Sequence, residues 1–230
     1  MENEQEGRIE LGQKAPDFTA STTFGEKSLS DYKGKWLVFF SHPGDFTPVC
    51  TTEMIAFSKA YTYFKELNTD LLGLSIDSLP SHLAWVYDIF KLTGIDLPFP
   101  IVADRDGSIA RKYGMIADSI STKETVRNVF IIDPEQKVRT ILIYPLTIGR
   151  FIPEIIRIVQ ALQMHDCSKG VIPADWLPGQ QIILPIPKTY EELKTRVNEF
   201  DGNKNGMSWY LTFENPPEKC DRRIDGLNNL

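Results

Sequence analysis

Strand-like apolar runs alternate with helix-like segments over the first two thirds of the chain, and this pattern constrains the fold most strongly. The runs are continuous rather than alternating, as is typical of strands buried on both faces. The predicted strands are 36–40, 71–77, 99–104, 126–133 and 138–145, and the predicted helices are about 48–66, about 80–93, a short one in "GSIARKYG", and about 151–165. The last two strands form a hairpin, so we expect a mixed α/β sheet with helices on its faces.

The composition changes near residue 168, where this alternation stops. The segment "GVIPADWLPGQQIILPIP" holds four prolines and two glycines and cannot form one regular element. We therefore expect a main domain over 1–165 and a C-terminal domain over 166–230, with a short charged helix at about 189–199. The tail is either flexible or docked. Its aromatic residues Trp209, Tyr210 and Phe213 favour docking, for example onto a second subunit, because such side chains are costly to leave in water.

Composition and charge argue against several classes of function. A content of 42% hydrophobic and 24% charged residues suits a globular protein with a full core. The formal net charge of -6 argues against nucleic acid or an anionic membrane surface as the main partner. The first residues, "MENEQEGRIE", predict no signal peptide, and no apolar run approaches the roughly 20 residues of a membrane span.

Cysteine and histidine are scarce and widely spaced. The three cysteines, Cys50, Cys167 and Cys220, include no CxxC pair. This argues against a disulfide scaffold and predicts a reducing, cytoplasmic compartment. The histidines do not stand at metal-ligand spacings, so we expect neither a metal nor a cofactor.

Cys50 stands where a helix should begin. Thr47 is a favoured N-cap residue and Pro48 a favoured first helical residue, which puts Cys50 at the third helical position. A sulfur there lies near unsatisfied N–H groups at the positive end of the helix dipole, which favour a thiolate over a thiol. Met54 and Phe57 continue the same helix face, so a small buried hydrophobic residue is the competing interpretation of Cys50.

Two arginines and a glutamate are candidates for the charges around such a thiolate. Arg127 falls in an otherwise apolar strand, and Arg150 opens the last main helix, where its charge opposes the helix dipole. Glu53, one turn from Cys50, is placed to hold both guanidinium groups. These residues indicate either a structural salt bridge or a thiolate in a cationic, apolar pocket.

The segment "PGDFTPVC" resembles the peroxiredoxin signature PxxxTxxC through Pro43, Thr47 and Cys50, and the "TTE" that follows is also typical. The resemblance continues through "VRNVFIIDPEQKVR", "ILIYPLTIGR" and "ADWLPGQQIILPIP" to about residue 187. The long C-terminal part is similar to the 1-Cys subfamily, especially its archaeal-type members. The resemblance implies a thioredoxin-like α/β fold with a mixed central sheet and a C-terminal dimerisation domain.

The resemblance further implies a thiol peroxidase that reduces hydrogen peroxide and organic hydroperoxides through a sulfenic acid at Cys50. Thr47 and Arg127 would bind the peroxide. The backbone N–H groups of Val49 and Cys50 would steady the developing negative charge.

Four more residues receive roles from the resemblance. Arg150, oriented with Glu53, would complete the cationic wall, and Pro43 would shield the sulfur from water and from over-oxidation. His42 would hydrogen-bond near the sulfur as part of the substrate site, or else lie on the rim without a chemical part. Some animal relatives add a phospholipase activity through a serine motif before the strand that leads to the cysteine. Here that place reads "DYKGKWLVFF", so lipase activity is not expected.

The sequence leaves open how the sulfenic acid is reduced. Cys220 lies in "NPPEKCDRR", a polar tail expected to be mobile, and is the candidate resolving cysteine through an intersubunit disulfide with Cys50. Cys167, directly after the helix at about 151–165, is the less favoured candidate. The alternative is a 1-Cys mechanism in which a thioredoxin-like or other external thiol reduces Cys50.

The resemblance implies a homodimer and a homodecamer made of five dimers. A thiol–disulfide oxidoreductase is a rival, but it requires two adjacent cysteines, which the sequence lacks. A holdase chaperone or a peroxide sensor, as the main or a second role, is the non-enzymatic alternative.

Overall fold

The computed structural model describes residues 9–202 and 206–223. The chain divides into two compact units, one reaching Ile152 and the other starting at Pro153. The strands, in chain order, are β1 (Thr19–Thr22), β2 (Gly25–Ser28), β3 (Trp36–Ser41), β4 (Thr69–Ser75), β5 (Ile101–Ala103), β6 (Arg127–Ile132), β7 (Val138–Tyr144), β8 (Ile182–Ile183), β9 (Gly206–Ser208) and β10 (Leu211–Glu214). The helices are α1 (Pro48–Glu66), α2 (Leu79–Thr93), α3 (Ser108–Lys112), α4 (Ile152–Ser168) and α5 (Tyr190–Gly202). Within the described residues, every helix falls short of the length or the apolar character needed to cross a bilayer.

The first unit is built on one mixed sheet with the strand order β2-β1-β5-β4-β3-β6-β7. Strands β3, β4 and β5 are parallel, whereas β6 and β7 form an antiparallel hairpin beside β3. The predicted α/β class, the five strands and the hairpin are thus confirmed. The prediction missed β1 and β2, whose sequences "TAST" and "GEKS" carry no apolar alternation.

Strand β3 runs through the middle of this sheet and is buried on both faces. Phe39 packs on one face against Phe18 and Tyr113, at ring-centroid distances of 5.3 and 5.0 Å. Phe40 packs on the other face against Phe57 of α1, 4.2 Å away. The continuous apolar run in the sequence therefore reflects two layers of core around one strand.

The carboxyl ends of β3 and β4 lie at the same edge of the sheet because the two strands are parallel. The segment 42–47 leaves β3 at this edge and leads into α1, and Asp77 follows β4 there. Side chains that are distant in sequence meet at this edge, which is where ligands bind in many open α/β sheets.

The second unit contains α4, α5 and a three-stranded antiparallel sheet of order β8-β10-β9. The charged helix predicted at about 189–199 corresponds to α5. The tail also forms strands, which the prediction missed because each of them is only two to four residues long. Trp209 and Tyr210 form the turn between β9 and β10 and remain 38% and 56% exposed.

A disulfide joins Cys167 at the end of α4 to Cys220, with a Cα–Cα distance of 5.6 Å. Cys220 is 3% exposed and belongs to a core cluster with Met164, Trp176 and Ile182. The expectation that Cys220 lies in a mobile tail is therefore wrong. The expected disulfide bond is present, but it joins Cys220 to Cys167 and leaves Cys50 free. The two residues are 53 positions apart, and only the folding of the tail back onto α4 brings them together.

Candidate active site

Cys50 occupies the third position of α1, as predicted, and its side chain is fully buried and free of any disulfide. Thr47 is the N-cap residue with extended backbone angles, and Pro48 takes the first helical position. The Thr47 hydroxyl does not cap the helix but donates to the carbonyl of Gly44 at 2.9 Å. The hydroxyl oxygen can therefore still accept a hydrogen bond from another donor near the N-terminus of α1.

Arg127, the first residue of β6, makes direct contact with the cysteine sulfur. Its Nη1 lies 3.3 Å from Cys50 Sγ and 2.7 Å from Glu53 Oε2. Its Nε and Nη2 both donate to the carbonyl of Leu146, at 3.0 and 2.7 Å. The guanidinium group of Arg127 is thus held by the Leu146 carbonyl and by Glu53, and its Nη1 faces the sulfur of Cys50.

Arg150 holds the other side of the same carboxylate. Its backbone N–H and Nε donate to Glu53 Oε1 at 2.9 and 2.8 Å, and Nη2 donates to Oε2 at 2.7 Å. Its Nη1 donates to the carbonyls of Ser41 and Asn128. The group also lies over the ring of Phe40, 5.0 Å from the centroid, so it is both hydrogen-bonded and stacked.

These charges sit in a site closed to water. The side chains of Glu53, Arg127 and Arg150 are 2%, 3% and 0% exposed. Burial raises the pKa of the Glu53 carboxyl, but its charge contacts and hydrogen bonds with Arg150, helped by Arg127, outweigh this and lower the pKa below its usual value. Two guanidinium groups and one carboxylate leave one net positive charge (+2 − 1 = +1) against Cys50. A buried unpaired charge is costly, so this surplus positive charge would be stabilised by an anion beside Arg127.

The structure brings together the residues that the sequence indicated for the charged wall. Glu53 does hold both guanidinium groups, as predicted from its spacing. One detail differs: Arg150 lies two residues before α4 begins at Ile152, so it does not open the helix. Pro43 and Val49 are half-buried, with Val49 in the first turn of α1, and His42 is fully buried.

A cluster of His42, Asp45 and His82, which was not predicted from the sequence, lies at the same sheet edge. Asp45 Oδ1 lies 3.0 Å from His42 Nε2, and Asp45 Oδ2 lies 2.8 Å from His82 Nδ1. Among the described residues, these three side chains form the one group whose ligand atoms lie close enough together to bind a metal ion. The spacing of the histidines in the sequence did not indicate a metal site. The position of these residues could have indicated the cluster, because they follow the carboxyl ends of the parallel strands β3 and β4 in the sequence.

A buried free thiol at the start of a helix, in contact with a guanidinium group, is typical of redox-active cysteine proteins. The model of the AhpC/TSA family matches residues 11–141, and that of the C-terminal domain of 1-Cys peroxiredoxin matches residues 161–199. Peroxiredoxin 2 of Caldanaerobacter subterraneus subsp. tengcongensis is 56% identical over 205 residues, which are 89% of this chain and 92% of the relative. Peroxiredoxin of Thermoplasma volcanium is 53% identical over 205 residues, 89% of this chain and 98% of the relative.

Solved structures agree with the sequence relatives. A cysteine-to-serine mutant of peroxiredoxin 6 of Arenicola marina matches with a TM-score of 0.79 and 36% identity, over 91% of this chain and 99% of that chain. The yeast mitochondrial 1-Cys peroxiredoxin matches with a TM-score of 0.78 and 36% identity, over 90% of this chain and 99% of that chain. The chain therefore belongs to the peroxiredoxin family, with a thioredoxin-like fold, and it is a thiol peroxidase that acts on peroxide at the expense of a thiol reductant.

Proposed function

We propose that Cys50 is the peroxidatic cysteine and that it reacts as a thiolate held by Arg127. The observation that carries this proposal is the 3.3 Å contact between Arg127 Nη1 and Cys50 Sγ inside a buried cluster with one surplus positive charge. A free cysteine with no cation beside it would be mostly protonated at neutral pH and a poor nucleophile. The positive charge of the cluster supplies the cation that an isolated cysteine lacks and so stabilises the Cys50 thiolate.

The reaction follows from these charges. The Cys50 thiolate attacks the terminal oxygen of a hydroperoxide, a sulfur–oxygen bond forms, and the oxygen–oxygen bond breaks. The leaving oxide takes up one proton and departs as water from hydrogen peroxide or as an alcohol from an organic hydroperoxide. Cysteine is oxidised to the sulfenic acid, and the peroxide is reduced by two electrons.

Further residues of the site receive roles that follow from their positions. Thr47 offers its hydroxyl lone pairs to the peroxide proton, while its own hydroxyl group donates to the carbonyl of Gly44. The first-turn N–H groups of Val49 and Cys50 steady the charge that develops during attack. Pro43 shields the sulfur, and His42 is the remaining member of the substrate site.

Replacing Arg127 by alanine should slow the oxidation of Cys50 by roughly ten- to a hundredfold, since a hydrogen bond to a charged group is worth about 1.5–3 kcal/mol. Arg127→Lys should recover part of the rate, because it restores the charge without the planar fork that contacts both Leu146 and the sulfur. The rate is measured by stopped-flow mixing with hydrogen peroxide.

Arg139→Ala is the matched control, because Arg139 lies on the neighbouring strand β7 and pairs with Asp133 at 3.3 Å. It should leave the rate unchanged. Equal rates in wild type and Arg127→Ala would reduce Arg127 to a structural part of the cluster.

An external thiol, we infer, reduces the sulfenic acid, as in a 1-Cys mechanism. Cys220 and Cys167 are bonded to each other, and Cys50 is the free cysteine. Cys220, and less readily Cys167, could resolve Cys50 only after this bond opens. The yeast mitochondrial 1-Cys peroxiredoxin resolves its thiol through glutathione and thioredoxin systems. A thioredoxin-like protein or a small thiol is the reductant proposed here.

The Cys167–Cys220 disulfide should stabilise the fold of the C-terminal unit and should not affect the rate of peroxide reduction. A disulfide that closes a loop of 53 residues should contribute about 2–5 kcal/mol to the free energy of unfolding of the C-terminal unit. Cys167→Ser and Cys220→Ser should both show this loss in urea denaturation under non-reducing conditions. Both should keep wild-type peroxide reduction when dithiothreitol is the reductant. Loss of turnover in Cys220→Ser alone would instead assign the resolving role to Cys220.

The protein is further proposed to form homodimers that assemble into a homodecamer in the cytoplasm, with domains over 1–165 and 166–230. The exposed rings of Trp209 and Tyr210 support a docking role for the tail. Phe213 is half-buried within β10. Among the described residues, the buried contacts around Cys50 favour the peroxidase over the chaperone and sensor alternatives.

A further inference from the structure

Trp85 of α2 makes a hydrogen bond to the first turns of α1, next to Cys50. Its indole N–H donates to the hydroxyl of Thr51 at 3.2 Å. Trp85 is 1% exposed, and its ring packs against His42 with 5.1 Å between the ring centroids. A buried indole N–H is costly to leave without an acceptor. The Thr51 hydroxyl is therefore the acceptor that allows a tryptophan to pack against the start of α1.

The Thr51 hydroxyl connects Trp85 to Thr47, the N-cap residue of α1. It donates to the backbone carbonyl of Thr47 at 2.8 Å. The same carbonyl accepts the backbone N–H of Thr51 at 3.0 Å, so one residue gives it two hydrogen bonds. An indole N–H only donates and a carbonyl only accepts, so the direction of both side-chain bonds follows from the chemistry of these groups. The hydrogen bonds thus run from Trp85 through Thr51 to Thr47.

The backbone changes conformation abruptly at Thr47. Phe46 has a φ of 55°, a left-handed conformation that is unfavourable for a residue with a side chain. Thr47 itself is extended, with a φ of -97° and a ψ of 145°, and Pro48 begins the helix. The Thr47 hydroxyl donates to the carbonyl of Gly44 at 2.9 Å. The contacts at the carbonyl and at the hydroxyl of Thr47 together therefore determine where its hydroxyl oxygen lies.

We propose that Thr51 and Trp85 are positioning residues for the peroxidase reaction: they fix the carbonyl of Thr47 and so place the Thr47 hydroxyl for the incoming peroxide. This inference rests on the proposed roles of Cys50 and Thr47. The contact between Arg127 and the sulfur of Cys50 is made without either positioning residue. Loss of the Thr51 hydrogen bonds should therefore leave the thiolate as reactive as before and should impair its alignment with the peroxide.

The test compares two reactions of Cys50 in Thr51→Val, which removes the hydroxyl and nearly keeps the shape of the side chain. Oxidation by hydrogen peroxide, followed by stopped-flow mixing, should slow by about three- to tenfold, as expected for the loss of an uncharged hydrogen bond. Alkylation by iodoacetamide needs the thiolate but no proton acceptor beside it, so its rate should match wild type. Thr51→Ser keeps the hydroxyl and should recover the oxidation rate.

Trp85→Phe tests the other end of the same hydrogen-bond chain, because it keeps an aromatic ring beside His42 and removes the indole N–H. It should slow oxidation by about two- to fivefold. The double variant should be no slower than Thr51→Val alone, since both changes act through the Thr51 hydroxyl. Thr52→Val is the matched control, because the exposed Thr52 hydroxyl donates only within α1, to the carbonyl of Val49 at 2.7 Å. It should leave both rates unchanged.

Oxidation of Thr51→Val at the wild-type rate would overturn the proposal, and so would a loss of alkylation that parallels the loss of oxidation. Effects of Thr51→Val and Trp85→Phe that multiply in the double variant would overturn it as well, because the two residues would then act independently. If circular dichroism shows that Thr51→Val does not fold, Trp85→Phe provides the test, and its oxidation at the wild-type rate would refute the proposal. Peroxide reduction that persists in Cys50→Ser would instead defeat the proposed function itself.

Discussion

Cys50→Ser should abolish thiol-dependent peroxide reduction while the protein keeps its fold. Serine is nearly isosteric with cysteine, so the fully buried site at the third position of α1 should accept it. Its hydroxyl does not ionise usefully at neutral pH and cannot form a sulfenic acid, so neither the attack nor the oxidised intermediate is available. The measurement is hydrogen peroxide consumption with dithiothreitol in excess, together with circular dichroism as a check on folding.

Cys167→Ser is the matched control for this result, because it changes a cysteine to serine outside the charged site. It should retain the wild-type rate. A Cys50→Ser protein with more than about a tenth of the wild-type rate would contradict the role of Cys50 as the nucleophile.

Glu53→Gln should have the largest effect on stability of any single change in the charged site. The carboxylate accepts four hydrogen bonds from Arg127 and Arg150, and the three side chains are almost entirely enclosed. Without this carboxylate charge, the two buried guanidinium groups lose the counter-ion that both of them contact. Breaking a buried pair in this way typically costs about 3–5 kcal/mol in the free energy of unfolding.

The pH dependence of this loss has a definite sign. The pKa of Glu53 is lowered in the folded protein, so its stabilising contribution is present in full above the pKa of the unfolded chain and is lost as the pH falls through the folded value. Wild type and Glu53→Gln should therefore differ most in stability near neutral pH and converge in acid. Urea denaturation over a series of pH values measures the difference.

Glu154→Gln is the comparison for the glutamate, because Glu154 pairs with Arg157 at 2.6 Å in a partly exposed position. A pair of this kind should contribute no more than about 1 kcal/mol. A difference between wild type and Glu53→Gln that is as small as this, or that grows in acid, would show that the buried cluster is not held by the charge of Glu53.

The sequence predicted those parts of the molecule whose physical cause is local. Strand β3 was predictable because burial on both faces requires an unbroken apolar run, and α1 because Thr47 and Pro48 mark its start. The Arg127–Glu53 contact followed from a simple requirement, since a charge within an apolar strand needs a partner. Strands β1 and β2 left no such mark because their residues are polar and pair at the edge of the sheet.

The contacts that the sequence did not predict join residues far apart along the chain. Asp45 and His82 are 37 positions apart and meet because two parallel strands end at one edge. Cys167 and Cys220 meet because the tail folds back onto α4. Neither pair is marked by a characteristic spacing or periodicity in the sequence, so the three-dimensional fold was needed to find them.

The most direct test of the central claim is peptide mapping by mass spectrometry after an equimolar addition of hydrogen peroxide, with dimedone present to trap sulfenic acid. We expect a dimedone adduct on Cys50 and an unchanged Cys167–Cys220 disulfide. Adding a small thiol before dimedone should return Cys50 to its free form. An unmodified Cys50 with oxidation elsewhere, or a Cys50–Cys220 disulfide formed in place of the adduct, would contradict it.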